Sequence, residues 1–330
     1  MASIAHWTRQ INTNLLNDPI VAEAFDPRSI EDHCRQAGHC WRQSFWSPSV
    51  TLLTFLVQVL NPSKTLRVAV AQLITHLAAR GVRDLPSADP TTYCQARKRL
   101  PGEAVSRVML MLADTLRRQV GAGHRWLRRQ VWIVDATTAS MPDTPELQQA
   151  FPQPSAQKPG CGFPVAKILA VFCWATGAIH EAAIDSNRPH DLPLFRRIWN
   201  IFSPGDVVLA DRAYCAFVDV ARLLARGVHC VLRQHQRRCM DFRQGRRLGP
   251  DDRLVTWRRP DQWLASFGVS REAFDALPAT LTLRMIRITG ATKGFRSRTL
   301  VVVTTLIDPV EVPAEDVRHL GSIRDSHLFR

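Results

Sequence analysis

Val131-Trp132-Ile133-Val134-Asp135 and Val207-Val208-Leu209-Ala210-Asp211 are two short apolar runs, each ending in an aspartate. Runs of this length, rich in β-branched residues and bounded by polar ones, predict buried strands. A carboxylate at the mouth of such a strand rides on a rigid element. Two of them side by side make a hard-oxygen site suited to Mg²⁺ or Mn²⁺, the ligand type that two-metal phosphoryl transfer uses.

The elements around the runs predict an order. Val131–Asp135 is read as a strand, and Ile168–Ala175 and Ile179–Asp185 as a hairpin turning at Thr176-Gly177. Asp191–Phe202 is read as a helix started by an Asp cap. Val207–Asp211, the helix Ala216–Arg226 and the strand His229–Arg233 follow. The order β-β-β-α-β-α-β, with its first and fourth strands adjacent, predicts an α/β fold with a ribonuclease-H-like core at residues 126–235. Residues 1–125 read as a helical N-terminal DNA-binding domain. Residues 236–299 read as an inserted basic β-rich subdomain, with strands at Leu254–Trp257 and Leu281–Ile288. Residues 300–330 read as a return strand of the core and an aberrant tail.

The net charge of +14 and the pI near 10.3 favour double-stranded DNA as partner. Arginine dominates that charge, and its planar fork suits phosphate. Candidate DNA contacts are Arg97, Lys98 and Arg99 on a short helix between Asp89-Pro90 and Pro101. Lys158 is another, in the irregular Met141–Phe163 segment, with Lys167 just beyond it. The basic stretch adds Arg237, Arg238, Arg243, Arg246 and Arg247. Trp257 and Trp263 either stack on bases or belong to the core. The eight cysteines form no CxxC pair, and Cys34, His39 and Cys40 lack the spacing of a common zinc site. Scattered cysteines, no signal-peptide pattern and no apolar stretch of spanning length predict a cytoplasmic protein with no membrane association.

Further stretches carry a resemblance. They are Tyr93-Cys94-Gln95-Ala96-Arg97-Lys98-Arg99-Leu100-Pro101, Val134-Asp135-Ala136-Thr137-Thr138, Ser140-Met141-Pro142-Asp143-Thr144, Phe151-Pro152-Gln153-Pro154, Leu209-Ala210-Asp211-Arg212-Ala213-Tyr214 and Val301-Val302-Val303-Thr304-Thr305. Together they resemble the IS4-type bacterial insertion-sequence transposases of the DDE class, from about residue 30 to about residue 318. The resemblance implies that Asp135 and Asp211 are the first two metal-binding acids, with two Mg²⁺ (or Mn²⁺) ions in the full site. It also implies that Arg212 and Tyr214 position the site or the DNA. Cleavage and strand transfer at insertion-sequence ends would take place in a homodimer on paired DNA ends. Ala136 stands where the family usually has Gly.

The family's third acid is a Glu on a helix after a segment like Pro313-Ala314-Glu315-Asp316, and no Glu follows Glu315 here. Glu311 and Glu315 are expected in a loop ahead of that helix, and Asp325 has no matching surroundings. The expectation is a transposase truncated before its third acid and defective in cleavage, with the helix lost and the core sheet left exposed. A non-catalytic DNA-binding remnant competing for element ends, or a structure-selective nuclease of the same superfold, is the alternative.

Overall fold

The computed structural model describes residues 26–42, 44–187, 190–235, 238, 241–289 and 299–325, with backbone alone at Ala122 and 322–325. The described chain divides after Leu116 into two compact units.

The first unit is helical: α1 (Pro27–Gln36), α2 (Pro48–Leu60), α3 (Leu66–Ala79), α4 (Thr91–Arg99) and the start of α5 (Gly102–Gln119). Asp26, Ser47 and Thr65 cap the first three through side-chain oxygens that accept from Ser29, Val50 and Val68 amides. Pro27 and Pro48 sit in first turns, where no amide is needed. Asp89 orders the start of α4 by accepting from the Thr91 amide at 3.0 Å, while the cap residue itself is Pro90.

The second unit is built on one nine-stranded sheet. Its strands are β1 (Val131–Ser140), β2 (Val165–Cys173), β3 (Ile179–Ser186), β4 (Val207–Ala210), β5 (His229–Arg233), β6 (Arg246–Gly249), β7 (Asp252–Arg258), β8 (Thr280–Thr289) and β9 (Thr299–Thr304). The order is β3-β2-β1-β4-β5-β9-β8-β7-β6. β1, β4 and β5 run parallel, and every other pairing is antiparallel. The first and fourth strands are neighbours, as the sequence predicts. Segment 236–299 contributes β6, β7 and β8, which join the same sheet through β9.

Helices α6 (Pro145–Ala150), α7 (Asp191–Arg197), α8 (Phe217–Ala225), α9 (Arg271–Asp275) and α10 (Ala314–Asp325) complete the unit. One apolar cluster joins Trp132, Val134, Val208, Ala210 and Leu232 to Phe195, Trp199 and Phe217. The other joins Val131, Ile133, Val207, Leu209 and Val231 to Val317 and Leu320 of α10. The period-two alternation of buried strands assigns the two faces.

Several predicted boundaries move. β1 runs on past Asp135 to Ser140, because Asp135–Ser140 pairs with β2 from Ala170 to Val165. Its parallel pairing with β4 stops at Val134 and Ala210. The β1–β2 hairpin therefore outreaches β4 by six residues, roughly 20 Å at strand rise. The predicted helix Asp191–Phe202 breaks at Ile198 into α7 and a 3-10 turn, Trp199–Ile201. Asp191 does not cap it: its carboxylate meets Lys167 at 2.8 Å.

The largest correction lies near the C-terminus. A helix does stand here, α10, with Glu315 in its first turn rather than in a loop, and no glutamate follows Glu315 along it. Val317 and Leu320 are fully buried and cover the face expected to be bare. The helix starts where the Trp126 indole donates to the Asp316 carbonyl, ahead of β1. By Gly321 it has reached Ile288 and Val302, and Val302 pairs with Arg233 at the far end of β5. It thus runs toward the strand ends that bear the aspartates.

The Met141–Phe163 segment is irregular except for α6, yet two glutamines order it. Gln153 donates to the Gln157 and Lys158 carbonyls and accepts from the Gly160 and Gly162 amides. Gln148 donates to Asp143 and the Gly162 carbonyl. Each such bond contributes on the order of 1 kcal/mol. Gln153→Ala is expected to speed subtilisin cleavage within residues 153–162 severalfold while lowering global stability by less than about 2 kcal/mol. Limited proteolysis beside a denaturant titration checks both, and an unchanged cleavage rate would refute it.

Candidate active site

Three parallel strands in register set the site. Val134 pairs with Ala210, and Ala210 with Leu232. The next residue on each strand is Asp135, Asp211 and Arg233, so these form one row. Neighbouring strands lie about 4.8 Å apart. Asp211 keeps an extended backbone, φ −77° and ψ 172°, so alternation carries on through it. Asp135, Asp211 and Arg233 follow Ile133, Leu209 and Val231 and share the face covered by α10.

Both aspartates are half-buried. Asp135 Oδ1 accepts from the Ala136 amide at 3.0 Å, which fixes one side of the carboxylate. Its partners along the sheet are small: Ala170 lies opposite on β2, and Ala136 follows it. Asp211 precedes the 3-10 turn Arg212–Tyr214, whose first bond runs from the Tyr214 amide to the Asp211 carbonyl at 2.9 Å. Tyr214 is 2% exposed, with its ring edge-on to Phe195 at 5.1 Å. It anchors the turn from the core side, so a direct contact of Tyr214 with DNA is corrected to a packing role. Arg212, beside it, is exposed. Cys215 offers no thiolate: burial pushes its thiol up to about 11, and the nearby Asp211 charge acts in the same direction.

The acids weighed as a third ligand lie elsewhere. Glu311 is hydrogen-bonded to Arg129, which also reaches the Gly205 carbonyl, ahead of β1 and β4. Glu315 opens α10 at that same end of the sheet. Asp325 closes α10, and its side chain lies outside the described residues. Among the described residues, no three His, Cys, Asp or Glu side chains gather closely enough to hold a metal. Asp135 and Asp211 remain a two-carboxylate set of hard oxygens. That suits a single Mg²⁺, which binds through one or two carboxylates and retains several waters.

The basic residues divide. Lys98, Arg99, Lys158, Arg246 and Arg247 are exposed, and Arg243 is exposed while bound to Asp241 at 3.0 Å. Arg97 is half-buried: its guanidinium meets Gln58 Oε1 at 2.9 Å and lies 5.5 Å over the Phe55 ring. Arg238 lies 3.7 Å over the Trp257 ring, and burial lowers its pKa. Trp257 is thus core, and the Trp263 indole is spent on the Val269 carbonyl. Arg237 lies outside the described residues. The sequence reading passed over Arg233 as a site residue, although it ends an apolar run just as the aspartates do.

The Transposase DDE domain family model matches residues 126–324. The chain is 22% identical over 253 residues to the Transposase InsG for insertion sequence element IS4 of Escherichia coli (strain K12). That match takes in 77% of this chain and 54% of the relative, so the chain spans about half the length of the curated relative it matches. A cryo-EM structure of the piggyBac transposase synaptic complex with hairpin DNA aligns at a TM-score of 0.38 and 8% identity, over 91% of this chain and 61% of that one. The family model covers more than half of the chain, both aspartates included, and the protein belongs to the Transposase DDE domain family, with an IS4 transposase among its relatives.

Proposed function

We propose that this chain binds double-stranded DNA and works on it at Asp135 and Asp211, on a ribonuclease-H-like core, as a transposase of insertion-sequence ends. The observation that carries the reading is the shared row of the two carboxylates on neighbouring parallel strands. Asp135 and Asp211 would hold Mg²⁺ or Mn²⁺, and the ion supplies Lewis-acid stabilisation of charge at a phosphodiester. The two-ion set implied by the family resemblance needs ligands beyond these two.

The chain's own groups do the rest. The Ala136 amide fixes the Asp135 carboxylate, and the core-anchored turn at Tyr214 fixes Asp211 and presents Arg212. Exposed Lys98, Arg99, Lys158, Arg243, Arg246 and Arg247 supply backbone contacts, which give affinity without reading sequence. A cytoplasmic complex of two copies on paired ends belongs to the same reading. Among the described residues, no helix is long and apolar enough to cross a membrane.

With Mn²⁺ and supercoiled plasmid, we expect retention of the plasmid in a gel shift and nicking that Asp135→Asn abolishes. Nicking that Asp135→Asn leaves unchanged would remove the chemistry from this residue. Absence of any gel shift would sink DNA binding.

A further inference from the structure

Two tight turns stand together at the end of the sheet away from the aspartate row. The first precedes β1. Trp126 and Arg129 form an isolated bridge, and the Arg129 amide donates to the Trp126 carbonyl at 2.8 Å. Leu127 and Arg128 between them take φ 46° and 63°, a left-handed backbone that disfavours a leucine. Leu127 packs against the apolar cluster under α10, which holds the turn in that shape. The second turn joins β9 to α10. Asp308 Oδ1 accepts from the Val310 amide at 2.8 Å and from the Glu311 amide at 3.3 Å, and the Val312 amide donates to the Asp308 carbonyl. The turns are tied to each other: Arg129 is hydrogen-bonded to Glu311, and the Trp126 indole donates to the Asp316 carbonyl. The surface is therefore ordered before anything meets it, which lowers the cost of binding.

This surface displays apolar and charged groups that the fold does not use. Val310 is 88% exposed and Ile307 41%. Arg125 and Arg128 are exposed on the first turn, and Asp308 and Glu315 are exposed on the second segment. Among the described residues, Arg125, Arg128 and Glu315 pair with no opposite charge. Acid and base thus lie side by side around an apolar apex. A two-fold rotation sets the base of one copy over the acid of the other, twice, so the surface is self-complementary. The net charge of +14 makes copies repel in general, and a contact between them must bring acid to base.

We propose that this end of the sheet is the contact surface for a second copy of the chain. In this isologous pairing Arg128 of each copy faces Glu315 of the other, and the Val310 apices bury apolar surface between them. It names a surface for the two-copy complex of the reading above and rests on that part of it. The contact needs neither DNA nor metal, and it leaves the aspartate row at the opposite strand ends open.

Sedimentation velocity of the full chain, free of DNA and metal and at low and high NaCl, tests this. It is run on wild type, Arg128→Glu, Glu315→Arg, Val310→Ser and an equal mixture of the two charge reversals. Wild type is expected to dimerise, more weakly at high salt. Each reversal sets like charges opposite one another twice and should raise the dimer Kd at least about tenfold. The mixture should dimerise as wild type does, because both contacts again join opposite signs. Val310→Ser should weaken pairing severalfold. All these side chains are exposed, so unfolding midpoints should stay put. Arg128→Gln and Glu315→Gln replace a reversal that fails to fold, and should weaken pairing too. Variants that dimerise like wild type, or a mixture that stays monomeric, overturn this surface and leave the paired-copy reading standing. A wild type that is monomeric when free but forms complexes of two copies on DNA does the same. Single copies in both conditions overturn that reading as well.

Discussion

Asp135→Asn with Asp211→Asn is expected to abolish Mn²⁺ binding while leaving the unfolding midpoint unchanged or higher. The two carboxylates are half-buried neighbours in one row. Like charges so placed repel, and neutral isosteres relieve that repulsion. A residue conserving fold would show the opposite pattern, a lower midpoint. For affinity, even partners outside the ligand shell cost roughly 10–100-fold when removed, so loss of a ligand should exceed about 100-fold. Each single variant should fall between wild type and the double. Titration followed by the Mn²⁺ electron paramagnetic resonance signal reads the free ion directly. A double variant that binds Mn²⁺ as wild type does would remove the metal site from these residues.

Arg284→Met is expected to destabilise the second unit by about 3–5 kcal/mol, the cost of leaving one partner of a buried ion pair. Arg284 is 0% exposed and Asp252 3%. The pair is bidentate: Nε reaches Oδ1 at 2.9 Å and Nη2 reaches Oδ2 at 2.5 Å. The remaining Nη1 donates to the Val312 carbonyl at 2.5 Å, just ahead of α10. Against a typical total of about 5–15 kcal/mol this is a large share. Arg284→Met with Asp252→Leu should recover most of the loss, because apolar replacement of both partners removes the stranded charge. Urea unfolding of the three proteins tests this, and a loss under about 1 kcal/mol in the single variant would show that the pair contributes little.

Much of the core was legible. Val131–Val134, Val207–Ala210 and Cys230–Leu232 are apolar on both faces because both faces are covered, so each reads as a continuous run. The paired aspartates follow from those runs. What escaped depended on partners distant in sequence. Ala136–Ser140 carries little apolar signal, and β2 alone makes it a strand. Arg284 sits in a strand-like run, and its partner Asp252 lies 32 residues away, so nothing local marks the pair. Nothing local to Tyr214 announces Phe195, the ring that holds it in the core. The start of α10 is signalled only by Val317 and Leu320, whose spacing suits a helix lying on a sheet.

The overhang of the β1–β2 hairpin makes the active row lopsided. On the flank beyond Asp135 the hairpin stands as a fence, stiffened at its tip by the glutamine-laced loop. On the flank beyond Arg233 lies an open pocket at the start of β9. The row is thus walled on one side and open on the other, and whatever approaches the two aspartates must do so from the Arg233 side.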